Sequence, residues 1–301
     1  MSITVVISTH NRSKSLVRTL YSVRGIANEI VVIDSGSSDD TEKIAKKFTT
    51  HVYIRQNNLM LNVNKNFGFT KATSDWILNL DDDEELTPNL VREIRARLKS
   101  VPSNVVGFWI PRKNIIFGTW IQHGLWWPDR QLRLFRRGKG SFPEKHVHEY
   151  ISVAGITETL QTPFNHYNYN SISQYLEKMH EIYTESEIKK YEQTNYQVKW
   201  YDAIRFPVSD FLKIYFAQSG YKDGLHGLVL SLLQSFYSFI IFAKLWERAG
   251  FAQQDVSLHE VTREFRRTRK EASYWITTAR MKETTNPLLH LVYKLIRRME
   301  R

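Results

Sequence analysis

The residues best suited to chemistry lie in the segment WILNLDDDEEL (Trp76–Leu86), where an apolar run ends in three aspartates and two glutamates. Adjacent carboxylates repel one another, so one of them is expected to be neutralised or to hold a cation. Carboxylate oxygens suit hard divalent ions such as Mg²⁺ or Mn²⁺, which in turn suit a diphosphate. A second interpretation is a solvated acidic turn before a helix that starts at Thr87-Pro88. Taken alone, the segment fits both interpretations.

A second polar cluster follows another apolar run, in VVIDSGSSDDTEKIA. Asp34 ends the run, and serine and glycine residues lead from it into a helical pattern. An exposed carboxylate in such a loop can accept hydrogen bonds from a base or a ribose, and Asp39 can do the same or cap the helix. Loops of this composition also occur as plain turns.

The elements that must position these loops alternate between strand and helix over residues 1–100. Continuous apolar runs predict strands at 3–9, 29–35, 52–54 and 76–80, and apolar periodicity predicts helices at 13–23, 40–48 and 63–73. This alternation predicts a mostly parallel sheet with right-handed crossovers, covered by helices on both faces. Ligands of such sheets bind at the carboxyl ends of the strands. We therefore expect Thr9–Arg12, Asp34–Asp40 and Asp81–Glu85 to gather at one edge.

The pattern changes after residue 105. The runs VVGFWIPRKN and RQLRLFRRG predict strands, and a plain structural interpretation is a second, partly antiparallel sheet that completes the same domain. Residues 171–246 are helical in pattern and rich in aromatic side chains. Within them, Gly224–Ala243 contains no Asp, Glu, Lys or Arg and is almost long enough to cross a bilayer. Small or polar residues recur on one side of it, at Gly227, Ser231, Gln234, Ser235 and Ser238. This favours an interfacial or protein-packed helix over a membrane span.

Composition restricts the classes of function. The 301 residues suffice for a sizeable core, and the absence of cysteine excludes disulfides and thiolate metal sites. No secretory signal is expected, because the chain opens directly into a strand. The net charge is +11, which suits an anionic membrane surface or a nucleic acid. The densest basic stretch, REFRRTRK (Arg263–Lys270), is either part of that surface or a solvated helix face.

Three motifs in order, VVISTHNR, EIVVIDSGSSDDT and DWILNLDDDEEL, resemble the family 2 glycosyltransferases of GT-A fold. The likeness is strong over residues 1–90. Asp82 stands where the family pattern usually has a small residue, which leaves Asp81 and Asp83 as the D-x-D pair. The later segments GTWIQHGLWWPDRQLRLFRRGKGSF, VHEYISVAG and YKDGLHGLVLSLLQSFYSF resemble the subgroup that includes bacterial lipopolysaccharide-core β-glucosyltransferases.

The resemblance implies an α/β GT-A domain over 1–170, with a nucleotide-sugar half (1–100) and an acceptor half (101–170). A helical, amphipathic, membrane-associating region would follow over 171–301. It also implies a UDP-sugar donor, a divalent metal (Mg²⁺ or Mn²⁺) and inversion at the anomeric carbon. The residues expected to bind the nucleotide-sugar are Thr9, Asn11, Arg12, Asp34, Asp39, Lys65, Asn66 and Asp81. Asp83 is the expected metal ligand, Asp81 meets the ribose or a metal-bound water, and Glu84 and Glu85 support the turn.

An inverting transfer needs a base that takes the proton of the acceptor hydroxyl. Family members often place a carboxylate about 20 residues after an F-R-R strand, which indicates Glu149 here, with Asp129 second and Glu144 third. Glu149 could instead form a structural salt bridge to a nearby Arg or His. His148 and His166 are candidate metal or diphosphate ligands, or structural histidines. Trp126 and Trp127 can stack on a sugar face or pack in the core.

The leading hypothesis is transfer of a hexose to a lipid-anchored envelope glycan such as lipopolysaccharide core. It places the protein peripherally on the cytoplasmic face of a bacterial inner membrane, with a glycolipid or polysaccharide as acceptor. Transfer to polyprenyl phosphate, which needs no protein base, is the near alternative. A nucleic-acid-binding module and a catalytically silent nucleotide-sugar binder are the others. The acidic cluster at 81–85 argues against nucleic acid as a partner.

Overall fold

The computed structural model describes residues 1–57, 61–144, 149–180 and 184–300, with the side chains of Glu185 and Ser186 left aside. The chain divides into two compact units. Unit 1 comprises Met1–Ile116 and Pro128–Asn168, and unit 2 comprises Phe117–Trp127 and Tyr169–Arg301.

Unit 1 is built around one sheet with helices between its early strands. Its helices are α1 (Ser13–Val23), α2 (Thr41–Ala45), α3 (Leu61–Lys71) and α4 (Pro88–Lys99). Its strands are β1 (Ile3–Thr9), β2 (Glu29–Asp34), β3 (His51–Ile54), β4 (Trp76–Asp81), β5 (Glu84–Glu85) and β6 (Val105–Ile116). Further along the chain come β7 (Thr119–Trp120, within unit 2), β8 (Asp129–Arg136), β9 (Gly140–Ser141), β10 (Ser152–Val153), β11 (Ile156–Thr159) and β12 (Phe164–Tyr169).

The strand order is β3-β2-β1-β4-β8-β6-β12-β5, and β11 pairs with β6. The first four strands are parallel to one another, as the alternating pattern predicts. β8 then pairs antiparallel with both β4 and β6. The expectation of a second sheet built from the 105–116 and 129–136 strands is therefore wrong. These strands extend the first sheet, because the edge of β4 is open to them. The mixed α/β, GT-A-like fold class is confirmed.

Helices cover both faces of the parallel part of this sheet. Leu16, Leu20 and Val23 of α1 pack with the α4 side chains Leu90 and Ile94 on one face. On the other face, Phe69 of α3 packs with Val6, Ile33 and Phe135. Gly68 brings α3 close to the sheet, since a Cβ there would lie 2.6 Å from Val6 Cγ1. Burial on two faces explains why β1, β2 and β4 are apolar without alternation.

Unit 2 is mainly helical. Its helices are α5 (Ile172–Lys178), α6 (Thr184–Gln193), α7 (Asp202–Phe211), α8 (Gly224–Arg248), α9 (Leu258–Glu283) and α10 (Pro287–Met299). A π-helical segment, Leu212–Ala217, follows α7 directly. The Arg205 guanidinium of α7 donates to both oxygens of the buried Glu264 carboxylate of α9, at 2.6 and 2.7 Å, which joins these two helices.

The small and polar side of α8 faces protein. Ser235 Oγ donates to the Pro207 carbonyl at 2.8 Å, Ser238 Oγ donates to the Asp210 carboxylate, and Ser231 is fully buried. Of the described residues, Gly220–Arg248 forms the one helical stretch long and apolar enough to cross a membrane, and a third of its most apolar window is buried. Length and composition alone are weak evidence of a span, because the core helix of a soluble protein meets the same test. The packing of α8 on α7 accounts for the spacing of its small residues.

Candidate active site

The three polar loops meet at one edge of unit 1, as expected from the parallel pattern. In the sheet register, Thr9 lies beside Asp34 and Ser8 lies beside Asp81. The carboxyl ends of β2, β1 and β4 are therefore side by side, and the loops that follow them project from the same edge. This places the candidate nucleotide loops and the acidic cluster within one site.

The first two loops are bonded to each other. Asn11 has a left-handed φ of 51°, and its side-chain oxygen accepts from the Ser38 backbone N–H at 2.8 Å. The Asp39 carboxylate accepts from the backbone N–H groups of Ser13 (3.2 Å) and Thr41 (3.0 Å). Desolvation acts to raise the pKa of Asp39, but these hydrogen bonds and the Thr41 hydroxyl lower it to about 2. Asp39 thus supports the loop as an ionised carboxylate.

Asp34 is buried at the end of β2, with only 1% of its surface exposed. Its Oδ1 accepts from both the backbone N–H (2.9 Å) and the hydroxyl (2.6 Å) of Ser37. Its Oδ2 is buried and has no hydrogen-bond partner among the residues that the structure describes. A buried carboxyl oxygen without a donor is destabilising, so this atom is available to an N–H or O–H of a ligand.

Asp81 is the centre of an ion-pair network. Its two oxygens contact Lys65 Nζ at 2.5 Å and Arg133 Nη2 at 2.6 Å. Arg133 also contacts Glu84 Oε1 at 2.5 Å, and Glu84 Oε2 accepts from the Asp81 backbone N–H at 3.0 Å. Burial opposes ionisation of Asp81, but the charges of Arg133 and Lys65 outweigh it and hold its pKa well below the usual range.

This network changes two of the predicted roles. Because cations engage both of its oxygens, Asp81 is poorly placed to ligate a metal directly. Lys65 is only 8% exposed, and its ammonium group is already paired with the Asp81 carboxylate. The geometry therefore supports Asp81 as the anchor of the turn that carries Asp82 and Asp83. Burial, and after it the charge of Asp81, raise the pKa of Glu84, whose side chain is fully buried. Glu84 thus supports the turn, in agreement with the sequence-based expectation.

Asp83 and His166 form the pair of side chains most suited to a cation. His166 Nε2 lies 3.4 Å from Asp83 Oδ1, and His166 is 7% exposed. His166 Nδ1 lies 2.7 Å from Asn114 Oδ1. Since an amide oxygen only accepts, Nδ1 donates this hydrogen bond, and Nε2 is the ring nitrogen that faces Asp83. A ligand histidine fixed by a hydrogen bond at its other nitrogen is typical of metal sites.

Asp129 is linked to this pair through Asn114, which contacts both Asp129 and His166. Asn114 Nδ2 donates to Asp129 Oδ2 at 3.1 Å, and the Arg112 guanidinium contacts the same oxygen at 2.5 Å. Burial acts to raise the pKa of Asp129, but Arg112, Asn114 and Gln131 lower it overall. Its lone pairs are engaged by three side chains, so the structure favours an orienting role for Asp129 over its predicted role as the alternative base.

The protein donors that the structure describes around Asp83 are fewer than Mg²⁺ or Mn²⁺ needs for full coordination. No group of three or more His, Cys, Asp or Glu side chains with metal-binding geometry occurs in the described ranges. Asp83 and His166 alone supply two donors. Mg²⁺ in phosphate-transfer sites is commonly held by one or two carboxylates together with substrate phosphates, and Mn²⁺ accepts imidazole as well as carboxylate. The residues present fit an ion whose coordination is completed by a diphosphate.

Glu149 and Glu144 each contact an asparagine of α3. Glu149 Oε2 accepts from Asn62 Nδ2 at 3.0 Å and from the Glu144 backbone N–H at 2.9 Å. Asn66 Nδ2 donates to the Phe142 carbonyl at 2.9 Å, and Asn66 Oδ1 accepts from the Phe142 N–H at 2.9 Å. The amide of Asn66 is thus engaged by the Phe142 backbone, and its nucleotide role stays a prediction. His148 falls outside the described residues.

Comparison with known proteins gives the family. The family model described as "Glycosyl transferase family 2" matches residues 4–156, just over half of the chain. The chain belongs to glycosyl transferase family 2. The resemblance drawn from the three sequence motifs is thereby confirmed.

Relatives of this family 2 chain include a lipopolysaccharide core biosynthesis glycosyltransferase, LpsC, of Rhizobium meliloti, 26% identical over 73% of the chain and 83% of LpsC. An uncharacterized glycosyltransferase of Rickettsia felis is 25% identical over 90% of the chain and 99% of the relative. Among solved structures, S. aureus TarS 1-349 in complex with UDP is 15% identical, covering 86% of the chain and 95% of TarS 1-349, with a TM-score of 0.44. The chain spans 55% of a longer TarS chain.

Three side chains of the candidate site lie outside the three sequence motifs: Arg133, Asn114 and Asn62. Each lies outside the motif loops and reaches the site only through tertiary structure. Of the three, only Arg133 could have been noticed from the sequence, because it is a charged residue between Leu132 and Leu134 in a predicted strand. Both leucines are buried in the structure. Such a charged residue is expected to pair with a buried carboxylate.

The remaining candidates of the family 2 chain, Trp126 and Trp127, belong to unit 2. Trp127 makes an edge-to-face contact with Trp120, with ring centroids 5.3 Å apart. Their stacking on a sugar stays a prediction.

Proposed function

We propose that this family 2 glycosyltransferase is an inverting hexosyltransferase that uses a UDP-sugar, with glucose or a related hexose as the transferred group. The observation that carries the proposal is the register of β2, β1 and β4, which brings Asp34 and Asp81 to one edge of the sheet, with Asp83 in the turn directly after β4. A nucleotide and a diphosphate need recognition groups at adjacent positions, and this edge offers them.

The nucleoside is assigned to the Asp34 end of the edge. Oδ2 of Asp34 accepts an N–H of the base or an O–H of the ribose, which supplies the missing donor. Thr9, Asn11 and Arg12 line the neighbouring loop, and the bonds between Asn11 and Ser38 hold it in place before the ligand arrives. Pre-ordered loops reduce the entropy lost on binding.

The diphosphate is assigned to the Asp83 end. Asp83 and His166 would hold the divalent ion, which when bound stabilises negative charge on the departing diphosphate. Arg133 and Lys65 keep Asp81 ionised and the turn in position, and Asn114 keeps the His166 lone pair directed at the ion. These residues orient the leaving group and contribute no bond-making step of their own.

Glu149 is the proposed base, which takes the proton of the acceptor hydroxyl. Its Oε2 is held by Asn62 and the Glu144 backbone N–H. The acceptor is proposed to be a lipid-anchored envelope glycan of the lipopolysaccharide-core kind, supported by the similarity to LpsC. Residues 1–170 would form the catalytic part, and 171–301 would attach it peripherally to the cytoplasmic face of a bacterial inner membrane.

The proposal is tested by screening a panel of nucleotide-sugars by thermal shift with and without Mn²⁺. A ligand that binds only the folded state raises the melting temperature. We expect the largest rise with a UDP-hexose, and slow release of UDP from that donor in the absence of acceptor. A panel in which no UDP-sugar shifts the melting temperature and no UDP is released would refute the proposal.

The Glu149→Gln variant is expected to lose transfer while donor binding is unchanged. General bases typically contribute about 10²–10⁴-fold to the rate, and glutamine keeps the side-chain shape without the basicity. Transfer to acceptor and the donor-induced thermal shift are measured on the same preparation. Asp129→Asn and Glu144→Gln serve as comparisons, and a larger loss of kcat in either one than in Glu149→Gln would move the base assignment to that residue.

A further inference from the structure

A stripe of apolar side chains on α10 has no covering partner among the residues that the structure describes. Its members are between 48% and 84% exposed: Leu288, Leu291, Val292, Leu295 and Met299. They recur at three- and four-residue intervals, which places them on one face of the helix. Five large apolar side chains in one exposed row mark an interaction surface.

The opposite side of α10 packs on α9 within unit 2. The Arg297 guanidinium lies over the Tyr274 ring, 5.9 Å from its centroid, and Ser273 Oγ donates to Glu300 Oε1 at 3.1 Å. Tyr293 and Arg297, about half a turn from the stripe, are the partly buried residues of the helix. The stripe is therefore directed away from α9.

The charges around the stripe are basic. Lys294 and Arg298 follow it along one side by helical position. Near the end of α10, an open cleft is lined by four basic residues together with Tyr274 and two acidic residues, Glu271 and Glu300; the basic residues are Arg263, Arg266, Arg267 and Lys270. Among the described residues, one carboxylate lies within 4 Å of these four cations: Glu264, which is 3.8 Å from Arg267. Arg205 already binds that carboxylate. Glu271 and Glu300 offset only part of the four positive charges of the cleft, and like charges at these spacings on one helix repel one another.

We infer that α10 lies in the plane of an anionic phospholipid surface, with its apolar stripe at the acyl boundary and the cations of the α9 cleft on lipid phosphates. A helix of 13 residues rises only about 20 Å, which is too short to cross a hydrocarbon core of about 30 Å. An apolar stripe bordered by Lys and Arg is the pattern of a helix that lies on a membrane. The assignment deepens and rests on the peripheral attachment in the proposed function, and it selects α10 instead of the longer α8.

The test is flotation of the purified chain with two kinds of vesicle, one of phosphatidylcholine alone and one that also contains about 30% phosphatidylglycerol. Roughly one anionic lipid in three gives the second vesicle a marked negative surface potential. We expect binding to the anionic vesicles that weakens with added salt. Leu291→Glu/Leu295→Glu is expected to lower binding at least tenfold, on the order of the loss of two buried leucines. Arg266→Glu/Lys270→Glu is expected to lower it by about tenfold or more on anionic vesicles only.

Val256→Glu/Leu258→Glu is the matched control. It also changes two exposed apolar residues of unit 2 to glutamate, but at the far end of α9 from the α10 contacts, and wild-type binding is expected. Three results would overturn the inference. The first is full vesicle binding by the Leu291→Glu/Leu295→Glu variant, and the second is loss of binding only in a Leu232→Glu/Phe236→Glu variant of α8. The third is a wild-type dimer in sedimentation that the stripe variant converts to monomer without a change in vesicle binding.

UDP release without acceptor separates this inference from the proposed function. The stripe variant is expected to release UDP from the donor at the wild-type rate. A chain that floats with anionic vesicles as expected but releases no UDP from any donor would refute the proposed function and leave the lipid surface standing.

Discussion

Asp83→Ala is expected to lower the rate of UDP-sugar turnover by about 10³-fold or more, since groups that stabilise developing charge contribute on this scale. The variant lacks the Asp83 carboxylate, whose Oδ1 lies 3.4 Å from His166 Nε2. His166 is then the remaining metal donor of the pair. The concentration of Mn²⁺ that gives half-maximal activity should rise at least about tenfold. Steady-state kinetics over a Mn²⁺ titration measure both quantities.

Asp82→Asn is the comparison for this prediction. Asp82 is the neighbouring residue in the same turn, where burial and the charge of Asp83 raise its carboxyl pKa to about 8. Asparagine has the shape of the protonated acid, so a loss of less than about tenfold is expected. Normal turnover in Asp83→Ala, or a larger loss in Asp82→Asn, would show that the metal assignment belongs elsewhere in the turn.

Arg133→Met is expected to destabilise the folded chain by about 3–5 kcal/mol at neutral pH, the usual effect of removing one partner of a buried ion pair. Arg133 is 4% exposed and lies between Asp81 and the fully buried Glu84. Without the guanidinium, two carboxyl groups face each other in a site that already raises the pKa of Glu84 by burial. Urea denaturation measures the change in the free energy of unfolding.

The pH dependence of this variant gives an independent check. A buried acid with a raised folded-state pKa favours folding when protonated, so stability is lost as pH rises through that pKa. The deficit of Arg133→Met should therefore shrink as pH falls below neutrality. Adding Glu84→Gln removes the unpaired charge and should recover part of the loss. Arg130→Met, an exposed arginine on the same strand, is the control and should change stability by less than about 0.5 kcal/mol.

Local sequence pattern was sufficient to predict the half of the fold that carries the candidate nucleotide loops. The predicted strand at 3–9 and helix at 13–23 coincide with β1 and α1, and Thr87 caps α4 through a hydrogen bond from the Leu90 N–H, as its sequence suggests. Strands buried on both faces leave a strong apolar signal, and parallel pairing follows from the intervening helices. The gathering of Thr9, Asp34 and Asp81 at one edge follows from that topology.

Long-range partners were beyond the reach of sequence. The strand that carries Arg133 pairs with β4 across an interval of more than 50 residues, and no local pattern indicates whether such a strand extends the first sheet or forms another. The same applies to Asn66, whose amide pairs with Phe142, and to Asp129, whose neighbours come from β6. A short motif identifies a side chain that can bind a ligand, while the competing protein partners of that side chain depend on the tertiary fold.

The unpaired oxygen of Asp34 has a consequence for selectivity. Ser37 already satisfies Oδ1, so under the proposed nucleotide role Oδ2 favours a ligand that presents a hydrogen there over one that presents a lone pair. Nucleobases differ in which of the two they offer along their pairing edge. In that role Asp34 would discriminate mainly by rejecting bases whose edge leaves its buried oxygen without a donor.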